Sequence, residues 1–235
     1  MCHRTMLENN ADWARARAAE DPDYFPRLAS EHRPHCLFVG CSDARVPSEV
    51  ITQVSPGELF VHRNIANQAH PTDTNLNAAL QYAVDALQVE DVVVCGHEGC
   101  GGVRAAVQGK APPLVDTWVA GVRTIMRLHA EELEQIADPE RRLTRLVELN
   151  VMEQVFNISR SPVVQSAWSA GRTLRVHGWV YGLESGLLRD LHVTVDGALL
   201  VAPLVAPRRK VAAAPVGAVP PGPSLSGVVR ERRAG

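Results

Sequence analysis

Cys36-Leu37-Phe38-Val39-Gly40-Cys41-Ser42-Asp43-Ala44-Arg45 runs from a short apolar stretch straight into a polar loop. The same design returns at Asp91-Val92-Val93-Val94-Cys95-Gly96-His97-Glu98-Gly99-Cys100-Gly101-Gly102. Each apolar stretch reads as a buried strand that ends where chemistry-bearing side chains begin. Working outward, a short helix is expected from Pro47 and a further strand at Glu58–His62. Leu76, Ala79, Leu80, Ala83, Val84 and Leu87 recur at helical spacing and predict one amphipathic helix over 74–87. Strands that alternate with helices through short connections predict an α/β fold with a central, mostly parallel β-sheet flanked by helices.

Downstream, helices are expected at 103–108, 114–136 and 140–158, and another from Ser161-Pro162, with Ser as N-cap and Pro in the first helical position. Leu174–Tyr181 reads as a strand. Leu191–Val195 and Ala198–Val201 read as a terminal hairpin around the turn-forming pair Asp196-Gly197. Residues 1–30 look like an N-terminal helical arm, with Pro22 and Pro26 breaking its pattern. The chain thus divides into the arm, a domain over 31–205, and a Pro/Ala-rich basic tail over 206–235 that is expected to be disordered.

The 235 residues and 46% hydrophobic content suit a globular core. No run approaches the roughly 20 apolar residues of a membrane span. The first ten residues lack an apolar stretch of signal-peptide type, so a cytoplasmic location is expected. The formal charge of −2 conceals a tail of about +5, from Arg208, Arg209, Lys210, Arg230, Arg232 and Arg233 against Glu231 alone, on a body of about −7. Nothing in that body suggests a nucleic-acid surface. Five cysteines at these spacings give no disulfide framework.

Cys41, His97 and Cys100 offer two thiolates and an imidazole at the ends of parallel strands. That set suits a tetrahedral zinc ion with a fourth position to fill. Two thiolates cancel the metal's charge, so bound water should be less acidic than at a three-histidine site. Asp43 has two partners within reach of its loop. It can bind the metal and shut the site, or pair with the guanidinium fork of Arg45 and leave a position for water. Exchanging carboxylate for hydroxide on the metal releases a proton, so opening is favoured as pH rises. Other chemistries use the same residues: Cys41 as a nucleophile activated by His97, or a structural zinc with Asp43 permanently bound. Cys36 and Cys95 lie within the strands and read as core thiols.

The pattern resembles the β-class carbonic anhydrases. The residues that carry the likeness are Cys41-Ser42-Asp43-Ala44-Arg45, Pro56–Asn67, Gly96-His97 with Cys100-Gly101-Gly102, Glu148-Leu149-Asn150-Val151 and His177–Gly182. The resemblance implies reversible hydration of CO2 to bicarbonate by a zinc-bound hydroxide. Zn2+ would be held by Cys41, His97 and Cys100. Asp43 and Arg45 would be the catalytic dyad, with Asp43 the fourth ligand of a closed state. It also implies a homodimer or homotetramer, with the arm laid over a neighbour. Some members bind bicarbonate at a second site. Arg63 and Tyr181 match two of its residues, and Phe38 stands where the third is tryptophan, without an N–H to donate. Ala44 replaces a usual serine.

Overall fold

A computed structural model describes residues 3–197. Two helices form the amino-terminal segment, α1 (His3–Glu20) and α2 (Tyr24–Ser30). Pro22 separates them, but Pro26 does not break the second, because it falls in the first turn, where its missing N–H has no partner to lose. No residue of α1 is buried, and Met6, Leu7 and Trp13 stand exposed on it. Trp13 meets Phe25 edge-on at 5.5 Å between ring centres, which ties α1 to α2.

The domain opens with β1 (Cys36–Cys41), α3 (Ser48–Thr52) and β2 (Leu59–Asn64). Next come α4 (Thr74–Gln81), β3 (Asp91–His97) and α5 (Gly101–Gln108). After α6 (Pro113–Trp118), α7 (Ala120–Leu128) and α8 (Ala130–Glu134), the long α9 (Pro139–Ser159) leads to α10 (Pro162–Ser169), β4 (Arg175–Tyr181) and β5 (Leu188–Asp190). The sheet order is β2-β1-β3-β4-β5, with the first four strands parallel and β5 antiparallel to β4.

Four expectations need correction. The helix over 74–87 is α-helical only to Gln81; a π turn follows, with the Leu87 N–H on the Tyr82 carbonyl, and it keeps Ala83 and Val84 buried. The region 114–136 is three helices, because Val119 and His129 leave helical geometry, and the breaks keep Val119, Val122, Ile125 and Leu133 inward. The β5 strand lies at Leu188–Asp190 rather than Leu191–Val195. There the Asp190 carboxylate accepts the His192 N–H at 2.8 Å, and His192 turns left-handed at φ +57°, which ends the strand. Only Val195 re-pairs, with Val176. The hairpin's other half, Ala198–Val201, and the 206–235 tail lie outside the described residues. The Ser161 cap stands as read, its hydroxyl accepting the Val164 N–H.

The helix α9 is the backbone of the core. Leu146, Val147, Val151, Val155 and Ile158 are buried along one stripe facing β3 and β4. Glycines permit the close approach: a Cβ on Gly96 would stand 2.6 Å from Val151 Cγ2, and one on Gly178 would stand 3.1 Å from Val151 Cγ1. Gly96→Ala is therefore expected to cost about 1–3 kcal/mol by overpacking. Urea unfolding measures it, and an unchanged midpoint would show that the helix yields freely. Among the described residues, no helix is long and apolar enough to cross a membrane.

Candidate metal centre

The sheet delivers two of the three soft donors. Cys41 is the last residue of β1 and His97 the last of β3, and these strands are adjacent. Cys100 follows as the N-cap residue of α5. All three are buried, and their donor atoms lie within 4.8 Å of one another. The two sulfurs are 3.9 Å apart. Thiolates about 2.3 Å from a tetrahedral zinc stand roughly 3.8 Å from each other, so the spacing suits that ion.

The imidazole is aimed the same way. His97 Nδ1 donates to the Glu98 carbonyl at 2.9 Å, which fixes the tautomer and leaves the Nε2 lone pair free. Nε2 is buried with no hydrogen-bond partner. An orphaned acceptor beside two sulfurs is what a metal ligand set requires. No second group of three clustered donors of this kind occurs among the described residues.

Electrostatics agree. A proton shared with Cys100 draws the Cys41 thiol down to about 4 against the effect of burial, helped by His97 and by the N–H groups of Asp43 and Ala66 that face its sulfur. Cys100 is pushed up by the same sharing and by burial. The centre thus holds one proton between two sulfurs, and a cation that replaces it is favoured. Burial instead raises Cys36 and Cys95 to about 12, as befits inert core thiols.

Beside the donors, Arg45 grips Asp43 in a two-pronged pair: Nε donates to Oδ1 at 2.9 Å and Nη2 to Oδ2 at 2.7 Å. The Arg45 backbone N–H adds a third bond to Oδ1. This fork holds the Asp43 carboxyl well below the usual carboxylate range. Asp43 Oδ2 is also 3.7 Å from His97 Nε2, so one carboxylate oxygen already borders the donor cluster.

Arg63 braces the same loop from β2, with Nε on the Cys41 carbonyl at 2.8 Å and Nη2 on the Asp43 carbonyl at 2.6 Å. Phe38 and Tyr181 pack in one cluster with Val93 and Cys95. Arg63 shares the parity of Leu59 and Val61, which pack on that cluster, but it sits on β2, three strand spacings from Tyr181 on β4. Its guanidinium is occupied by the loop carbonyls.

The sequence reading missed the turn that backs the site. Ala66 (φ +62°) and Asn67 (φ +45°) are consecutive left-handed residues without being glycine, a cost of about 1–2 kcal/mol each. Buried amides hold them. The Ala66 carbonyl accepts from Asn150 Nδ2 at 3.0 Å and Gln68 Nε2 at 2.9 Å, and Asn150 Oδ1 accepts from Gln68 and Gln154. The Trp118 indole donates to the Ile65 carbonyl. The available signal was polar Asn150 and Gln154 lying within the apolar stripe Val147, Val151 and Val155.

A Cys-His-Cys donor set at the carboxyl ends of adjacent parallel strands, flanked by an Asp–Arg fork, defines a metal centre of the kind found in α/β metalloenzymes. The family model described as carbonic anhydrase matches residues 36–188. A carbonic anhydrase of Emericella nidulans is 41% identical over 197 residues, covering 84% of this chain and 86% of the relative. Among solved structures, a tetrameric β-carbonic anhydrase from Sordaria macrospora superposes with a TM-score of 0.79 at 38% identity, covering 82% of this chain and 98% of that one. A Coccomyxa β-carbonic anhydrase in complex with acetazolamide gives 0.78 at 37% identity, covering 82% and 87%. The chain belongs to the carbonic anhydrase family of lyases, in its β class.

Proposed function

We propose that this chain catalyses the reversible hydration of CO2 to bicarbonate, with a zinc ion held by Cys41, His97 and Cys100. The observation that carries the reading is the buried, partnerless His97 Nε2 facing two sulfurs 3.9 Å apart. When bound, zinc supplies a water made acidic enough to attack an electrophilic carbon. The chain's own groups do the rest. Asp43 accepts a hydrogen bond from the nucleophile and aims it; Arg45 keeps the carboxylate ionised and in place. The N–H groups that face the sulfurs keep the thiolates ionised. Cys41 serves as a ligand rather than a nucleophile, and stoichiometric, tightly held zinc with no rapidly alkylated thiol there is the expected sign.

Asp43 is also the proposed gate. Released from Arg45, its carboxylate can take the fourth position and shut the site. Reopening sheds one proton to solvent, so alkaline pH favours the working arrangement. A bicarbonate ion near Phe38, Arg63 and Tyr181 would have to draw Arg63 off the Cys41 and Asp43 carbonyls, which relaxes the gate loop. Stopped-flow CO2 hydration from pH 6.5 to 9, with and without added bicarbonate, reads both. The rate is expected to climb steeply with pH and to be depressed by bicarbonate most at the lower end. A flat profile would dismiss the gate, and an unchanged profile with bicarbonate would dismiss the second site.

We also propose a dimer or tetramer, supported by the unburied α1 and its exposed Met6, Leu7 and Trp13. Light scattering of the purified chain decides it, and a monomer at working concentration would refute it.

A further inference from the structure

We propose that Asn150 is a positioning residue for the metal centre: through the Ala66–Asn67 turn it holds the Ala66 amide on the sulfur of Cys41. The inference rests on the reading that Cys41, His97 and Cys100 bind the metal. It concerns a residue far along the chain, in the middle of α9, that touches none of the three.

The geometry forms a continuous path. Asn150 is fully buried and every polar atom of its side chain is engaged. Its Nδ2 fastens the Ala66 carbonyl, and its Oδ1 aligns Gln68, whose Nε2 fastens the same carbonyl. Asn64 closes the loop from the other side, accepting the Gln68 N–H at 2.7 Å and donating to the Gln68 carbonyl at 2.8 Å. The turn so fixed is pressed against the metal loop: a Cβ on Gly102 would meet Ala66 Cβ at 3.1 Å and Ala66 N at 3.5 Å. On the far side, the Ala66 N–H faces the Cys41 sulfur. Asn67, buried beside it, leaves its Nδ2 without a partner. A loop with only a connecting role would shed two left-handed residues and an unpaired amide. A loop that must present one N–H to a thiolate retains them.

An N–H directed at a ligating sulfur withdraws charge from it, so its loss alters the metal–thiolate bond itself. The test is cobalt loading of the native chain, Asn150→Leu and Gln68→Leu, with the thiolate-to-cobalt charge-transfer band and chelator competition as readouts. Circular dichroism and hydrodynamic size confirm folding. Folded variants are expected to show a shifted band and a roughly tenfold to hundredfold loss of affinity. A folded variant with the parent's band and affinity overturns the positioning role and leaves the metal centre standing. A native chain that takes up no cobalt overturns both. Should the variants fail to fold, the native chain loaded with cadmium-113 decides: a scalar coupling between the Ala66 amide proton and the metal, passed through the Cys41 sulfur, is expected, and its absence overturns the proposal.

Discussion

Cys100→Ser is expected to empty the centre, leaving less than about a tenth of an equivalent of zinc per chain and CO2 hydration at the level of buffer. The substitution removes one heavy-atom identity and little else. A serine hydroxyl does not ionise near neutral pH and is a poor partner for zinc, whereas a thiolate is a good one. The fold should survive. Cys100 is the N-cap residue of α5, and serine is among the best residues there, so the helix keeps a competent start. Its side chain is buried and nearly isosteric. What remains is one thiol at Cys41 and a His97 Nε2 with nothing to bind. Metal analysis paired with stopped-flow kinetics reads the outcome. Stoichiometric zinc and parental rates in a folded variant would contradict the assignment of Cys100.

Arg45→Ala is expected to lower the hydration rate by about tenfold to a hundredfold while zinc stays bound. Arg45 supplies both prongs of the fork on Asp43; without it only a backbone N–H remains on Oδ1. The freed carboxylate stands 3.7 Å from His97 Nε2 and is well placed to take the metal's open position. The loss should therefore be greater at neutral than at alkaline pH. Asp43→Asn should show a comparable loss without that slope, because an amide competes weakly for the metal. Arg45→Lys should restore only part of the activity, since an ammonium cannot engage both oxygens at once. Parental rates in both Asp43→Asn and Arg45→Ala would remove the dyad from the account.

Much of this architecture was readable before any coordinates. The apolar stretches at Cys36–Cys41 and Asp91–Cys95 announced adjacent buried strands, and the donors at their ends announced the centre. Ser161-Pro162 gave the start of α10 by a purely local rule. Where the reading failed, the deciding forces were tertiary. Helical periodicity continues through Val119 and His129, yet packing against α5 and α9 breaks the helix at both. The stretch from Leu191 has strand composition, but a left-handed His192 held by Asp190 ends the pairing first. The Ala66–Asn67 turn was quoted as a motif, but its conformation depends on Asn150 and Gln154, more than eighty residues away. No local pattern encodes a bond across that distance.

The most direct measurement is zinc K-edge X-ray absorption on the zinc-loaded chain at alkaline pH. Two sulfurs at about 2.3 Å and two lighter donors, nitrogen or oxygen, at about 2.0–2.1 Å are predicted. A first shell of oxygen and nitrogen alone, or folded protein that retains no zinc, would contradict the account.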